Sequence, residues 1–453
     1  MTRFPKKLQD KLVRRKTQNT LRHLPETNDL VDFSSNDYLG FSRNKDVFQH
    51  ASQLVSEKGV SRNGATGSRL LSGNHQLYAE LEKKLAEFHQ TESALVFNSG
   101  YDANIGFFGA VPQRGDIVLY DELIHASIRD GIHMGNAKSY KFKHNDIDDL
   151  KRKCRTVVPQ TSAAGPDPKA SKTPREAGVT LPSSSEIPVQ SAAKVSLPSS
   201  EKAPIPSVVE VYVITESVFS MHGDSPDLKA FAEFCRKMNY HLIVDEAHAV
   251  GVFGKNGQGL VQELGLEEAV FARIITFGKA MGCHGAGILG SQHLKDYLVN
   301  FARSLIYTTG LPPHSVATIL ASYEYLRASG QNTGEHIGHH PIANLSEKIK
   351  IFNRKLEKSA LSVFDRLKPS PTETGQSYFI PSTSAIHCCI IPGNERVLTI
   401  SEKIRSEGLE VKAILSPTVP QGQERVRICL HSFNTTEEIQ KLLDILSFYI
   451  QKK

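Results

Sequence analysis

A lysine that follows a short apolar run is the first residue with clear chemical potential. Lys279 closes the sequence Thr-Phe-Gly-Lys at 276–279, after the apolar segment 274–276, and a glycine-rich turn follows at 285–287. A partly buried lysine amine has a lowered pKa and can add to a carbonyl carbon as a nucleophile. Because a lysine after a strand is more often a solvated surface residue, other parts of the pattern must decide its role.

An acid and a histidine follow another apolar run. Asp245 and His248 belong to the sequence Asp-Glu-Ala-His, which comes directly after Leu-Ile-Val at 242–244. An acid at the carboxyl end of a strand faces the crevice in which open α/β sheets bind ligands. There the acid could pair with a protonated pyridine nitrogen, and the histidine could hold a phenolic oxygen. Taken alone, this pattern also fits an ordinary polar strand end or half of a metal site.

A glycine turn supplies the third feature. Ser99, Gly100 and Tyr101 come after the apolar run 94–97 and lead into a helical pattern, whose first N–H groups would face an anion. The full dinucleotide fingerprint and the Walker lysine are missing, which argues against NAD and ATP. A phosphate cradle, an acid for a ring nitrogen, a donor for a ring oxygen and a lysine for an aldehyde together predict pyridoxal 5'-phosphate as the cofactor.

The elements that must position these residues alternate between strand and helix. Near-continuous apolar runs at 94–97, 117–120, 211–215, 242–244 and 274–276 are separated by helical patterns. This predicts an α/β fold, with a mostly parallel central sheet covered by helices on both faces. Beyond Pro313, helices at 315–327, 345–367 and 436–449 and strands at 386–391, 411–414 and 426–430 predict a smaller C-terminal α+β domain.

The chain therefore divides into three predicted parts. They are an N-terminal helix and extended segment at 1–45, a large cofactor-binding domain at 46–313 and a small domain at 314–453. One segment of the large domain, 156–205, has eight prolines, nine serines and no aromatic residue. Such a composition cannot bury enough apolar area to offset conformational entropy, so it predicts a disordered surface insertion.

Composition and charge exclude several classes of protein. The 453 residues carry a net charge of +6, spread too thinly to indicate nucleic-acid binding, and no apolar run reaches the roughly 18 residues of a membrane span. The N-terminus lacks the apolar stretch of a secretory signal, although its scarcity of acids leaves a transit peptide as an alternative. The six cysteines form no C-x-x-C pair, which predicts no disulfide framework, no metal site and a reducing, cytoplasmic location.

Several ordered sequence blocks resemble one enzyme family across nearly the whole chain outside 156–205. The sequence is similar to the α-oxoamine synthases, fold-type I pyridoxal-phosphate enzymes that condense an amino acid with an acyl thioester. The matching blocks are 33–40, 67–70, 125–127, 142–146, 215–221, 245–248, 276–279 and 306–309. Within the family, the resemblance is greatest to the branch that makes 8-amino-7-oxononanoate for biotin.

The resemblance implies a role for each candidate residue. Lys279 would bond to the cofactor and later move protons, Asp245 would pair with the pyridine nitrogen, and His125 would stack on the ring. The remaining cofactor contacts would be His248 and Ser220 to the phenolic oxygen, and Ser99, Gly100, Tyr101 and Thr276 to the phosphate. Lys279, His125, Asp245 and His248 form the implied catalytic set.

Substrate and subunit contacts are implied in the same way. Arg22, Asn36, His125 and Thr418 would touch substrate. Thr308 and Thr309 would reach the phosphate in the neighbouring subunit, which implies a homodimer with shared active sites.

Two positions depart from the family pattern. Leu415 stands where the family commonly has the arginine that binds the amino acid's carboxylate, and an aliphatic side chain cannot make that bidentate contact. Either another cation substitutes, with Arg425 and Arg427 nearby in sequence, or the carboxylate is held less tightly. His222 stands where an aspartate is usual.

The implied reaction joins L-alanine to a pimeloyl thioester, carried by coenzyme A or acyl carrier protein. The products are 8-amino-7-oxononanoate, carbon dioxide and free thiol. The alternatives are a sister synthase that uses glycine or serine with another acyl-CoA, an aminotransferase, and a non-catalytic subunit of this fold. The last usually lacks the lysine, which this chain has.

Overall fold

The computed structural model describes most of the chain. The described residues are 4–18, 20–22, 24, 28–159, 209–329, 340–359, 361 and 378–451. Most of the predicted insertion therefore lies outside the described residues.

The central sheet has seven strands in the order β2-β8-β7-β6-β5-β3-β4. Its strands are β2 (Ser93–Phe97), β3 (Ile117–Asp121), β4 (Lys138–Phe142), β5 (Val211–Glu216), β6 (His241–Asp245), β7 (Ala272–Thr276) and β8 (Ala286–Gly290). Strands β4, β3, β5, β6 and β7 run parallel, and β8 is antiparallel to both β7 and β2. This confirms the predicted α/β class.

Ten helices of the described chain precede or flank the strands of this sheet. They are α1 (Lys6–Thr17), α2 (Lys45–Glu57), α3 (Gln76–Phe88), α4 (Gly100–Ala110), α5 (Ala126–Met134), α6 (Ile147–Val157), α7 (Leu228–Met238), α8 (Leu260–Glu263), α9 (Gln292–Phe301) and α10 (Arg303–Ile306). Every residue of β5 is buried, as expected for a strand covered by helices on both faces. Helix α6 ends at Val157, two residues inside the segment predicted as an insertion.

The C-terminal part is built on a second, antiparallel sheet. Its order is β12-β13-β10-β9, from β9 (Tyr378–Phe379), β10 (Ile386–Ile390), β12 (Lys412–Ile414) and β13 (Arg425–Cys429). The helices of this part are α11 (Pro313–Ser329), α12 (Pro341–Lys358), α13 (Asn394–Ser406) and α14 (Thr436–Gln451). The helix predicted over 345–367 begins four residues earlier and ends at Lys358.

The N-terminal extended segment is attached to this C-terminal part. Strand β1 (Val31–Asp32) pairs in parallel with β11 (Leu409–Glu410). Phe33 continues the contact, since its carbonyl accepts a hydrogen bond from the N–H of Cys429 at 2.8 Å. This attachment carries the block 33–40 towards the carboxyl edge of the large sheet. The three-part division of the chain stays a prediction.

No helix within the described ranges combines the length and the apolar character that crossing a bilayer requires. Helix α1 buries none of its residues, and its apolar side chains Leu8, Leu12 and Val13 are exposed.

Candidate active site

A cavity of about 260 Å³ lies at the carboxyl ends of β5, β6 and β7. Nine residues singled out from the sequence line it: Asn36, Ser99, Gly100, Tyr101, His125, Asp245, His248, Thr276 and Lys279. The other lining residues are Asn104, Ser127, Glu216, Ala247, Gly278, His284 and Gly285. Turns that are far apart in sequence meet here because parallel strands end at one edge of the sheet.

Lys279 follows β7 after a two-residue turn and directs its amine into the cavity. The Nζ atom lies 2.7 Å from Nε2 of His248. Desolvation lowers the pKa of Lys279 to about 8, although the charges of Asp245 and Glu216 act in the opposite direction and raise it. The structure therefore provides a lysine with an appreciable neutral fraction near physiological pH, as a nucleophile requires.

His248 is held at both ring nitrogens. Its Nδ1 lies 2.8 Å from the hydroxyl of Tyr38, and that hydroxyl donates to Oδ1 of Asn36 at 3.2 Å. Burial lowers the pKa of His248 well below its usual value, aided by the positive charge of Lys279. The neutral ring therefore donates from Nδ1 to Tyr38 and accepts at Nε2 from Lys279.

Two carboxyl groups meet at the ends of neighbouring strands. Glu216 and Asp245 are directly opposite each other in the register of β5 and β6, and both are buried. Oδ1 of Asp245 accepts from the N–H of Ala247 at 2.8 Å, and Oε1 of Glu216 accepts from the N–H of His125. Burial and the charge of Asp245 raise the pKa of Glu216 well above its usual range. Glu216 thus fixes the backbone from which His125 extends.

His125 caps the N-terminus of α5 and lines the cavity. Its Nδ1 lies 2.7 Å from Oγ of Ser127. Desolvation lowers the pKa of His125, so its ring is mainly uncharged at neutral pH. A neutral imidazole held in this way offers a flat face to an aromatic ligand.

The N-terminus of α4 and Thr276 form a polar corner of the cavity. The first N–H groups of a helix have no acceptor within the helix. The hydroxyl of Thr276 is buried and has no hydrogen-bond partner among the described residues. A Cβ atom on Gly100 would lie only 2.8 Å from Cγ2 of Thr276, so glycine keeps this corner open. These donors fit a phosphate group, which has enough oxygen acceptors to satisfy them.

The donor set as a whole fits pyridoxal phosphate. Lys279 could supply the amine for its aldehyde, Asp245 the acid for its ring nitrogen, and His248 a partner for its ring oxygen. The corner at Gly100 and Thr276 could supply the phosphate contacts, and the unpartnered Thr276 hydroxyl is a structural sign that this corner receives a ligand.

Comparisons with known proteins agree with this geometry. The model of the family described as aminotransferase class I and II matches residues 28–169 and 196–446. The 8-amino-7-oxononanoate synthase of Emericella nidulans is 37% identical over 98% of this chain and 93% of its own length. A putative 8-amino-7-oxononanoate synthase of Halalkalibacterium halodurans is 31% identical over 95% of this chain and 93% of its own. The chain belongs to the aminotransferase class I and II family. Within that family it is an α-oxoamine synthase, and pyridoxal phosphate is its cofactor.

A solved structure supports the same fold. The serine palmitoyltransferase of S. paucimobilis, with a bound aldimine of pyridoxal phosphate and myriocin, has a TM-score of 0.74 at 22% identity. The match covers 98% of this chain and 96% of that one. Residues 170–195, which separate the two ranges of the family match, fall inside the predicted insertion.

Five residues implied by the α-oxoamine synthase pattern lie outside the cavity lining of the described chain. Ser220 is near it, and its carbonyl accepts from Nε of Arg427 at 2.7 Å. Arg22 and Thr418 are exposed. Asn98 binds the other two, donating from Nδ2 to Oγ1 of Thr308 at 3.1 Å and to the carbonyl of Thr309. Their proposed contacts with substrate or with the second subunit stay predictions.

The structure adds functional residues that the sequence did not single out. Glu216 and Asn104 line the cavity, and Tyr38 orients His248. The sequence could have indicated Glu216, because this acid ends a buried strand just as Asp245 does. Tyr38 lies in the matching block 33–40, but only the folded chain brings it to His248.

The structure also distinguishes Arg425 from Arg427, the two residues that could take over the role of the arginine absent at position 415. Arg427 is buried and donates from Nη2 to Oδ1 of Asn36, a cavity residue, at 2.8 Å. Arg425 instead donates to the carbonyls of Met221 and Gln423. Leu415 is half-buried against the hydrophobic core. Of the two guanidinium groups, that of Arg427 is attached directly to the cavity wall.

Proposed function

We propose that this α-oxoamine synthase condenses L-alanine with a pimeloyl thioester, forming 8-amino-7-oxononanoate, carbon dioxide and free thiol in biotin biosynthesis. The relatives named 8-amino-7-oxononanoate synthase that cover nearly the whole chain support this assignment. The structural observation that carries it is the Lys279 amine, with a pKa of about 8, held against His248 at the edge of a cavity that also contains Asp245.

The chemistry divides between the cofactor and the chain. Bound pyridoxal phosphate supplies an electron sink for the carbanion at the amino acid's α-carbon. Lys279 Nζ provides the base that takes the α-proton, and His248 Nε2, 2.7 Å away, orients the amine. The carboxyl group of Asp245 would pair with the ring nitrogen. Gly100 and Thr276 would hold the phosphate end.

Arg427 is proposed to bind the substrate carboxylate. It is the buried guanidinium in contact with Asn36, and Leu415 cannot make this charge-assisted contact. This arrangement would replace the arginine that the family commonly carries at position 415.

A substrate panel tests the proposed reaction. L-Alanine, glycine and L-serine are combined with pimeloyl-CoA, a pimeloyl carrier protein, a short acyl-CoA and a long acyl-CoA, and thiol and carbon dioxide release are measured. The highest kcat/KM is expected for L-alanine with a pimeloyl thioester. The highest value for serine or glycine with another thioester would establish a sister synthase instead. Keto-acid formation without thiol release would establish an aminotransferase.

We also propose a homodimer in which Thr308 and Thr309 complete the site of the partner subunit. Tyr101, Met134, Phe301 and Tyr307 are large apolar residues that are exposed in the single chain. A mixed-subunit experiment tests sharing: K279A is combined with a T308A/T309A double variant, and each is inactive or weakened alone. Shared sites predict recovery of part of the activity on mixing, whereas strictly separate sites predict none.

A cytoplasmic location is proposed on the chemistry of the cysteines. All six are free thiols in the structure, including the neighbours Cys388 and Cys389, which is the usual state in a reducing compartment.

A further inference from the structure

A second cluster of polar side chains lies beside the cavity without lining it. His144 follows β4, and His222 and Asp224 lie in the turn after β5. One ligand atom from each of the three lies within 4.8 Å of the other two. The two histidines are far apart in sequence, and for this reason the sequence alone predicted no metal site.

Unpartnered atoms belong to two residues of this cluster and to the adjoining Asn145. Nδ1 of His222, Oδ1 of Asp224 and Oδ1 of Asn145 are buried and have no hydrogen-bond partner within the described ranges. Buried polar atoms are almost always satisfied by a protein group, a water or an ion. Unpartnered atoms on three neighbouring residues therefore indicate that this place holds a bound water or a cation.

His144 is oriented as metal-binding histidines usually are. Its Nδ1 lies 3.0 Å from Oδ1 of the fully buried Asp121. Its Nε2 lies 2.9 Å from Oδ2 of Asp224. A carboxylate behind a histidine fixes the tautomer and directs the other ring nitrogen towards the metal. Asp121 has this relationship to His144.

The cluster is surrounded by charges of both signs, and two of them are carboxylates. Asp121 and Asp224 both face His144. Arg425, on the C-terminal sheet, adds a positive charge that acts on His222, and its Nη1 donates to the carbonyl of Met221. A dication at Nε2 of His144 would replace the hydrogen bond between that atom and Asp224, and any proton held there would be released.

We propose that His144, His222 and Asp224 bind a divalent transition-metal ion, for which two imidazoles and one carboxylate are a suitable ligand set and zinc the natural probe. A water would complete the coordination, because the amide nitrogen of Asn145, not its oxygen, faces His144 and Asp224. The ion would stabilise the turn whose carbonyls at Ser220 and Met221 receive Arg427 and Arg425.

Metal titration of the untagged holoenzyme tests the proposal. After chelation and dialysis, Zn²⁺ is titrated by calorimetry, and Co²⁺ by its visible absorption. The parent is expected to bind one equivalent per chain. His222→Gln should weaken binding by at least about tenfold, and Asp121→Asn by roughly 10–100-fold, the usual effect of losing the carboxylate behind a ligand.

The control is His241→Gln. His241 forms an imidazole–carboxylate pair with Glu210 at 2.7 Å, but at the other end of the sheet. The His241→Gln variant should bind metal as the parent does. Equal affinity in the parent and in correctly folded His222→Gln would overturn the proposal, as would the absence of a stoichiometric site in the parent. If His222→Gln does not fold, Asp121→Asn decides by the same criterion. None of these readouts depends on turnover.

Discussion

The amine of Lys279 and the imidazole of His248 are in direct contact, with Nζ 2.7 Å from Nε2. The opposite ring nitrogen is engaged by the buried hydroxyl of Tyr38. The ring therefore has one orientation and one tautomer, and its free electron pair faces the lysine. A protonated neighbour would repel the lysinium ion, but a neutral one accepts a hydrogen bond from either form of the amine.

Replacement of Lys279 should remove covalent capture of the cofactor. After borohydride treatment, mass spectrometry should find the cofactor attached to the parent and to the control Lys255→Ala, an exposed lysine, but not to Lys279→Ala. Loss of the base should lower kcat by a factor of about 10² to 10⁴ or more. A Lys279→Ala protein with parental turnover would refute the assignment of Lys279.

Cofactor capture should depend on pH through the same amine. Its pKa is lowered to about 8, so the neutral fraction, and with it the rate of covalent capture, should rise as pH increases through about 8. Stopped-flow absorbance of the apo protein mixed with pyridoxal phosphate measures this rate. A rate that is flat through pH 8, or that rises only near pH 10, would contradict the lowered pKa.

The stability of the apo protein should also depend on the protonation of Lys279. Between about pH 8 and the usual lysine pKa of 10.5, the unfolded chain holds the proton more tightly than the folded one. The contribution of Lys279 to the free energy of unfolding should therefore increase with pH across that window. The difference between the parent and Lys279→Met in urea unfolding at the two ends of the window isolates this contribution.

The sequence predicted those parts of the fold that depend on local pattern. The buried runs that became β2, β3, β5, β6 and β7 were found within a few residues, because strands covered on both faces are almost continuously apolar. Strand β4 was missed, since it reads Lys-Ser-Tyr-Lys-Phe and lies at the polar edge of the sheet. Strand β8 was missed because its first two residues, Ala286 and Gly287, were interpreted as part of a glycine-rich turn.

In the candidate site, too, the residues that follow a local pattern were predicted and those that depend on long-range contacts were not. Asp245 ends a strand, and Lys279 and Gly100 follow one within three residues, so the rule that ligands bind at the carboxyl ends of strands predicted all three. The contact of Arg427 with Asn36 joins residues 391 positions apart, and no local pattern reports it. The sequence did not predict the cluster of His144 and His222 for the same reason.

The phosphate corner should be sensitive to one added methyl group. In Gly100→Ala the new Cβ would lie 2.8 Å from Cγ2 of Thr276 and displace the unpartnered hydroxyl. Loss of one hydrogen bond to a charged group costs about 1.5–3 kcal/mol, so affinity for pyridoxal phosphate should fall roughly 10–100-fold. Gly64→Ala is the control, because a methyl group added there would have no neighbouring atom within 4 Å. Equal affinity in both variants would place the phosphate elsewhere.

The two arginines of β13 should affect the amino-acid substrate differently. Arg427→Lys keeps the charge beside Asn36 but loses the planar pair of donors, so KM for the amino acid should rise roughly 10–100-fold. KM for the thioester should change little, because only the carboxylate contact is lost.

Arg425→Lys is the matched control on the same strand. Its guanidinium is directed to the carbonyls of Met221 and Gln423, so KM for the amino acid should stay near the parental value. A general loss of folding would change both KM values and kcat in both variants, whereas a carboxylate contact changes one KM in one variant. If Arg425→Lys raises KM for the amino acid and Arg427→Lys does not, the carboxylate is bound by Arg425. If neither variant raises it, this substrate is held without either guanidinium, and the substitution at Leu415 has no replacement on this strand.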